Sequence, residues 1–283
     1  MIPAVRALAR AAMAARPVPL ADVQARAELL ARFDRRYLVP VEVFAAFAAE
    51  LTDRRRPGGP FAALCINGRR WFRYRSLHYD TPGLRSFHDH RQGLPLRYTI
   101  RERRYEDTGE RQFEVKLTGR RGETVKHRRP LLPGDPALGV APRGFLAAVL
   151  DRAYGLAAPA DLHGALETDY TRATFVADGL RITCDAALRC RDPESGRTVR
   201  ADGGLVLVEI RTAARLPDAD LVTHADRLTH AAWLTHADRL LHGHGVRPAA
   251  FTRYCGGLAA LRPDLAAGHW RQAQAVRTAF PTA

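Results

Sequence analysis

The sequence contains almost no lysine and no long hydrophobic run. Of its 44 basic residues, only Lys116 and Lys126 are lysines. No window approaches the ~18 consecutive apolar residues of a membrane-spanning helix. Arginines within the first 16 residues interrupt the apolar core that a secretory signal would need. We therefore expect a cytoplasmic chain without a transmembrane segment.

Residues that would make a familiar metal centre are also scarce. The four cysteines contain no C-x-x-C pair, which predicts neither a zinc clip nor a redox dithiol. Four histidines recur every six residues in a helical segment: His224, His230, His236 and His242. Six residues advance a helix by about 600°, so successive histidines point in different directions. The sequence therefore predicts no histidine metal site.

Positive charge is what the chain has in excess. The formal net charge is +14, and residues 69–129 contain 17 basic and 8 acidic residues. Such a concentration of cations favours an anionic partner: nucleic acid, an acidic membrane or polyphosphate. A nucleic-acid surface would interleave aromatic side chains with its cations, whereas Tyr98 and Tyr105 are too few for that role. We therefore expect no nucleic-acid partner.

Several segments alternate apolar and polar residues as strands do. In residues 112–118, Phe113, Val115 and Leu117 alternate with polar side chains that include Glu114 and Lys116. The same alternation occurs at 33–39, 97–105, 170–175, 180–185 and 205–211. The polar faces contain mainly cations with isolated carboxylates. A closed barrel with a basic interior and an apolar exterior covered by helices would explain this pattern.

The remaining segments favour helices and set the expected organisation. Helical spacing predicts helices at 41–55, 141–155 and 216–245. We expect a helical N-terminal tail at 1–29, one domain at 30–257 and a closing helix or tail at 258–283. The expected fold class is α+β.

Eight motifs occur in an order that resembles one known family. They are RFDRRYLVP, RSLHYDTPGLRSF, RYTIRERRY, FEVK with VKHRR, YTRATF, LRITCDAAL, LVLVEIRT and FTRYCGG. Together, over residues 30–257, they resemble the polyphosphate-polymerase domain of the vacuolar transporter chaperone (VTC), in its bacterial stand-alone form. That domain belongs to the triphosphate tunnel metalloenzyme (CYTH-like) superfamily. The resemblance implies an eight-stranded antiparallel β-barrel, a tunnel surrounded by helices.

The resemblance also implies an activity and a set of site residues. The family transfers the terminal phosphate of ATP to a polyphosphate chain with a divalent metal, Mn²⁺ or Mg²⁺. The catalytic cations would be Lys116, Lys126, Arg101 and Arg103. Further phosphate-binding residues would be Arg36, Arg128, Arg172, Arg181, Arg211 and Arg253, of which Arg128 and Arg211 would be wall residues. Glu209 would be the metal ligand, with Glu114 a weaker candidate.

Departures from the family pattern leave the activity open. Arg36, Arg211 and Arg253 stand where the family usually has lysine. The segment Phe33–Arg36 lacks the Glu-x-Glu-x-Lys pattern of the hydrolytic branch. The first alternative is a hydrolase of tripolyphosphate or of a triphosphorylated metabolite, and the second is a non-catalytic module that binds polyphosphate or a nucleotide. The oligomeric state is also left open.

Overall fold

The structure is a computed structural model that describes residues 1–27, 31–53, 55, 60–120, 122–177, 179–213, 224–266 and 270–281. For residues 26, 27, 31–33, 213 and 224–232 it describes the backbone alone. The chain divides into two compact units, each built from three segments. Unit 1 comprises residues 1–72, 171–188 and 201–250, and unit 2 comprises residues 73–170, 189–200 and 251–283.

The described residues form eleven strands that belong to one sheet. The strands are β1 (Arg16–Val18), β2 (Ala31–Pro40), β3 (Ala62–Leu64), β4 (Phe72–Asp80), β5 (Arg97–Tyr105), β6 (Arg111–Thr118), β7 (Thr124–Leu131), β8 (His163–Ala177), β9 (Leu180–Arg191), β10 (Thr198–Arg200) and β11 (Leu205–Ala213). Strands β8 and β9 run through both units.

Eight α-helices accompany the sheet within the described residues. They are α1 (Pro3–Ala14), α2 (Leu20–Ala27), α3 (Val41–Thr52), α4 (Arg85–Gln92), α5 (Val140–Tyr154), α6 (His224–Gly243), α7 (Arg253–Leu261) and α8 (Ala273–Ala279). The predicted α+β class with a large antiparallel sheet is confirmed, but the described sheet has eleven strands where eight were expected. The helices predicted at 41–55 and 141–155 are also confirmed, as α3 and α5, although α3 already ends at Thr52. The third helix is described from His224 onwards, and residues 216–223 of that prediction lie outside the described residues.

Strand order differs between the units. In unit 1 the order is β1-β3-β8-β9-β11-β2. Strands β1 and β3 pair in parallel. Strand β11 pairs with β2 and with β9 in antiparallel fashion. In unit 2 the order is β8-β4-β5-β6-β7, with β10 beside the end of β9. Strands β4 to β7 follow one another as an antiparallel meander.

The apolar face of the sheet in unit 1 packs against helices α1, α3 and α6. Val206, Val208 and Ile210 of β11 belong to this core, as the alternation predicted. Trp233 of α6 is fully buried, and its ring centroid lies 4.9 Å from that of Phe61. Successive side chains of a strand point to opposite faces of the sheet, so the sequence neighbours of these apolar residues lie on the other face.

Unit 2 repeats this arrangement with a different helix. Phe113, Val115 and Leu117 of β6 pack in one core with Leu146 and Leu150 of α5. This confirms the predicted apolar face of residues 112–118. The polar side chains of β5, β6 and β7 therefore share the other face.

Among the helices in the described part of the chain, none combines the length and the apolar character that a bilayer crossing requires.

A buried carboxylate fixes the start of α4 and the position of α7. Asp80, which is 1% exposed, accepts hydrogen bonds from the backbone N–H groups of Thr81, Ser86 and Phe87 at 2.8, 3.0 and 3.1 Å. The hydroxyl of Tyr254 in α7 donates to the same carboxylate. Asp80 thus satisfies N–H groups in the first turn of α4 that have no intrahelical partner.

Replacing Asp80 by asparagine should destabilise the protein by about 3 kcal/mol, because a neutral amide weakens several charge-assisted hydrogen bonds at once. Urea unfolding of Asp80→Asn against wild type measures this. Asp161→Asn, the same change at an exposed position, is the control and should be neutral. Equal unfolding midpoints for Asp80→Asn and Asp161→Asn would contradict the assigned role of Asp80.

Candidate functional site

The antiparallel register of unit 2 brings charged and polar residues from four strands into cross-strand rows. The first row contains, in order across β4, β5, β6 and β7, His78, Arg101, Glu114 and Arg128. In the next row along the strands, Lys116 lies opposite Lys126. Same-face residues of neighbouring strands are about 5 Å apart, so these side chains interact directly.

Glu114 lies at the centre of this group. The Nε of Arg101 donates to its carboxylate at 2.6 Å, and the Nε of Arg128 and the Nζ of Lys126 lie 3.2 and 3.5 Å from it. The Nη1 of Arg103 is 3.8 Å away. Glu114 is only 1% exposed, so the carboxylate is shared among four cations and neutralises one of the four charges. We call these five residues the Glu114 cluster.

The positive charge of the cluster affects the pKa values of Glu114 and Lys126, both of which are lowered. Burial opposes ionisation of Glu114, but Arg101, Arg103, Lys126 and Arg128 outweigh it and hold the pKa of Glu114 well below its usual range. Burial lowers the pKa of Lys126 well below its usual range; Glu114 opposes this shift, and the three arginines add to it. The net positive charge of the cluster therefore favours the binding of a further anion.

Two arginines of this unit are oriented by tyrosine rings. The Nη2 of Arg103 donates to the hydroxyl of Tyr170 at 2.9 Å, and its guanidinium lies 5.3 Å from the centroid of Tyr74. Arg253, the first residue of α7, lies 4.8 Å from the centroid of Tyr170. The rings of Tyr74 and Tyr170 are parallel, with centroids 5.5 Å apart. These contacts place Arg253 beside the cluster through cation–π interactions.

Unit 1 contains a second charged group on the polar face of β2 and β11. The Nε and Nη2 of Arg36 lie 2.8 Å from Glu209 and 2.9 Å from Asp34. Arg211 donates to Glu209, and its Nε is 3.6 Å from Asp34. The register pairs Arg36 with Glu209 and Asp34 with Arg211. Two carboxylates here balance two arginines.

The remaining predicted residues of unit 1 have partners of their own. The Nε and Nη2 of Arg172 donate to the two carboxylate oxygens of Asp185 at 2.5 and 2.7 Å, and both residues are buried. The Nη2 of Arg181 donates to the backbone oxygen of Val23 at 3.4 Å. Asp185 thus fixes the orientation of Arg172 through a bidentate pair.

The predicted site residues fall into two groups that coincide with the two units. Unit 2 brings together Arg101, Arg103, Lys116, Lys126, Arg128, Arg253 and Glu114. Unit 1 holds Arg36, Arg172, Arg181, Arg211 and Glu209. Sequence reasoning assigned no role to Asp34, Asp185, Tyr170 or His78. Alternation at 33–39, 170–175 and 180–185 places Asp34, Tyr170 and Asp185 on polar faces, whereas His78 lies in the motif RSLHYDTPGLRSF, for which no alternation was predicted.

The two predicted metal ligands differ in how well their surroundings fit a cation. Among the described residues, no group of three or more His, Cys, Asp or Glu side chains could hold a metal ion. Four cations surround Glu114, which disfavours a divalent cation there. Glu209 has Asp34 nearby, since Arg36 bridges the two carboxylates. One or two carboxylates suffice for a Mg²⁺ or Mn²⁺ ion that arrives with phosphate oxygens, so this pair fits the implied metal.

Glu114→Gln should lower the stability of the anion-free protein by about 3 kcal/mol, because the four cations then lose their shared counter-charge. Added inorganic tripolyphosphate should restore much of the loss. Thermal unfolding with and without this anion measures both effects. Glu194→Gln, at an exposed position, should be neutral in each condition. A Glu114→Gln protein as stable as wild type without anion would contradict the role of Glu114.

A family model described as the VTC domain matches residues 32–262. No curated protein matches the chain.

Solved structures resemble the chain only distantly. A proposed adenylate cyclase from Bacillus halodurans is 13% identical, over 78% of this chain and 93% of its own, with a TM-score of 0.43. A proposed adenylyl cyclase from Hippeastrum, described as having a dominant triphosphatase activity, is 13% identical over 79% and 92%, with a TM-score of 0.41. An RNA triphosphatase of Schizosaccharomyces pombe is 10% identical over 76% and 82%, with a TM-score of 0.28.

The family assignment depends on the match along the sequence. The matched residues include the strands that carry the Glu114 cluster and those that carry Arg36 and Glu209. They also include the eight ordered motifs and Arg253. The chain belongs to the VTC domain family.

Proposed function

We propose that this protein is a polyphosphate polymerase, which transfers the terminal phosphoryl group of ATP or another nucleoside triphosphate to a polyphosphate chain. The observation that carries the proposal is the Glu114 cluster, where four cations converge on one buried carboxylate. The cluster leaves a surplus of positive charge on the polar face of β5, β6 and β7. Membership of the VTC domain family supports the same activity.

The cations lie in successive rows, which suits a linear polyanion. Arg103 lies in one row, Arg101 and Arg128 in the next, and Lys116 and Lys126 in the third. Rows on one face are two residues apart, a spacing of roughly 7 Å. A triphosphate or polyphosphate carries charge at repeated positions along its length, whereas a single phosphate would meet only one row.

Phosphoryl transfer requires positioning and charge neutralisation more than covalent chemistry by the protein. In the proposed reaction a terminal oxygen of the polyphosphate attacks the γ-phosphorus of ATP, the bond to the β-phosphate oxygen breaks, and ADP leaves. Arg101 and Arg103 would hold phosphate oxygens in fixed directions because the guanidinium group is a rigid fork. Lys116 and Lys126 have flexible stems and would follow the charge as it moves to the leaving group.

Asp34 and Glu209 of unit 1 are the residues that would hold the divalent metal. When bound with phosphate oxygens and water, Mn²⁺ or Mg²⁺ would neutralise phosphate charge. Arg36 and Arg211 orient both carboxylates through their ion pairs.

Product analysis tests the proposal. The purified protein is incubated with ATP and Mn²⁺, and ADP, free phosphate and acid-stable polyphosphate are quantified together. The proposal predicts ADP formation matched by phosphate residues in polymer. Free phosphate without polymer would favour a hydrolase instead, and binding of ATP without turnover would indicate a binding module.

Lys116→Ala and Glu209→Ala should each lower turnover at least tenfold, because one removes a phosphate-binding cation and the other a metal carboxylate. Far-ultraviolet circular dichroism should show an intact fold in both. Arg129→Ala removes an exposed cation of β7 whose side chain points away from the cluster, and it should keep turnover within about twofold of wild type. Normal turnover in both Lys116→Ala and Glu209→Ala would contradict the proposed roles of these residues in the site.

Affinity for tripolyphosphate should fall as pH rises through the lowered pKa of Lys126, because the anion binds the ammonium form and that form is lost at high pH. Titration calorimetry at a series of pH values measures this effect, and any ionisation of the ligand itself affects wild type and Lys126→Arg alike. Lys126→Arg keeps its charge and should flatten the dependence. The same slope for both proteins would contradict the prediction.

A further inference from the structure

Strand β4 places two uncharged polar residues beside the Glu114 cluster. In the register of β4 and β5, Ser76 lies opposite Arg103 and His78 lies opposite Arg101. Both are buried, at 1% and 4% exposure. Neither belongs to the cations and carboxylates that the family resemblance implied.

Each of these side chains has a buried polar atom without a hydrogen bond. The Oγ of Ser76 and the Nδ1 of His78 have no hydrogen-bond partner within the described residues. A buried polar atom without a partner costs free energy, and native proteins rarely contain one without a reason. Two such atoms, two residues apart on the same face, indicate a ligand that supplies the missing acceptor.

The imidazole of His78 is held in one orientation. Its Nε2 lies 3.5 Å from the hydroxyl of Thr168, and its ring stacks on that of Tyr254 with centroids 5.2 Å apart. Tyr254 is in turn fixed by its hydrogen bond to Asp80. If the Thr168 hydroxyl donates to Nε2, the proton of the neutral imidazole is on Nδ1.

The surroundings keep this imidazole neutral. Burial, followed by the charges of Arg101, Arg253 and Arg103, lowers the pKa of His78 well below its usual range; Glu114 opposes the shift. A neutral imidazole can still donate one hydrogen bond, and a serine hydroxyl can donate another. Neither donor adds to the repulsion among the cations.

We infer that Ser76 and His78 are phosphate-binding residues: Ser76 Oγ and His78 Nδ1 donate hydrogen bonds to oxygens of the bound phosphate chain, beside Arg101 and Arg103. The inference rests on the proposed function, because it requires a phosphate chain at the Glu114 cluster. The ligand class is a phosphoanhydride, whose ionised oxygens only accept hydrogen bonds.

The test compares stability and binding in the same variants. Ser76→Ala removes a hydroxyl that the ligand-free protein leaves unpaired, so the melting temperature without ligand should stay equal or rise. The dissociation constant for inorganic tripolyphosphate, measured by titration calorimetry without metal, should increase about tenfold. A residue that only supports the fold would instead lower the melting temperature and leave binding unchanged.

His78→Phe keeps a ring to stack on Tyr254 and removes the donor, so it should also weaken tripolyphosphate binding about tenfold. Ser195→Ala, the same chemical change as Ser76→Ala on an exposed loop, should alter neither quantity. If His78→Phe does not fold, Ser76→Ala decides the question alone.

Failure of this inference differs from failure of the proposed function. Wild-type affinity in Ser76→Ala, together with weak binding by Lys126→Ala, would overturn the role of Ser76 and His78 and leave the phosphate site in place. No binding of tripolyphosphate or ATP by the wild-type protein would overturn both.

Discussion

The shared carboxylate of Glu114 determines how the cations of unit 2 can lie together. Arg101, Arg103, Lys126 and Arg128 repel one another, and burial increases that repulsion because solvent screens it less. The cations of β5 and β7 reach the carboxylate on β6 only in the observed register of these three strands. A shift of one residue would move Glu114 into the apolar core and expose Phe113 to the cations. Fold and site therefore depend on the same strand pairing.

The two units differ in how completely their charges are balanced. In unit 1, Asp34 and Glu209 pair with Arg36 and Arg211, and Asp185 pairs with Arg172. In unit 2, Glu114 is the one carboxylate that contacts the four cations of its cluster, within the described residues. Arg101, Lys126 and Arg128 outnumber this carboxylate, so the net positive charge favours a polyanion on the face of β5, β6 and β7. The uncharged donors Ser76 and His78 border that face.

Alternation in the sequence predicted the strand faces because a side chain's direction is a local property of extended backbone. The apolar residues of β6 and β11 are in the cores as expected. Partners across strands depend on register, which a single sequence does not specify. Glu114 was therefore interpreted as a metal candidate although four cations surround it, and the pair of Arg172 with Asp185 was not foreseen. Ser76 and His78 lie in the motif RSLHYDTPGLRSF, but neither carries a charge that could have marked it as a phosphate-binding residue.

The most direct test of this account is a crystal structure of the protein with inorganic tripolyphosphate. We expect phosphate oxygens in contact with Arg101, Arg103 and Lys126 on the face that carries Glu114. Phosphates bound elsewhere on the chain, with the Glu114 cluster unchanged and empty, would contradict it.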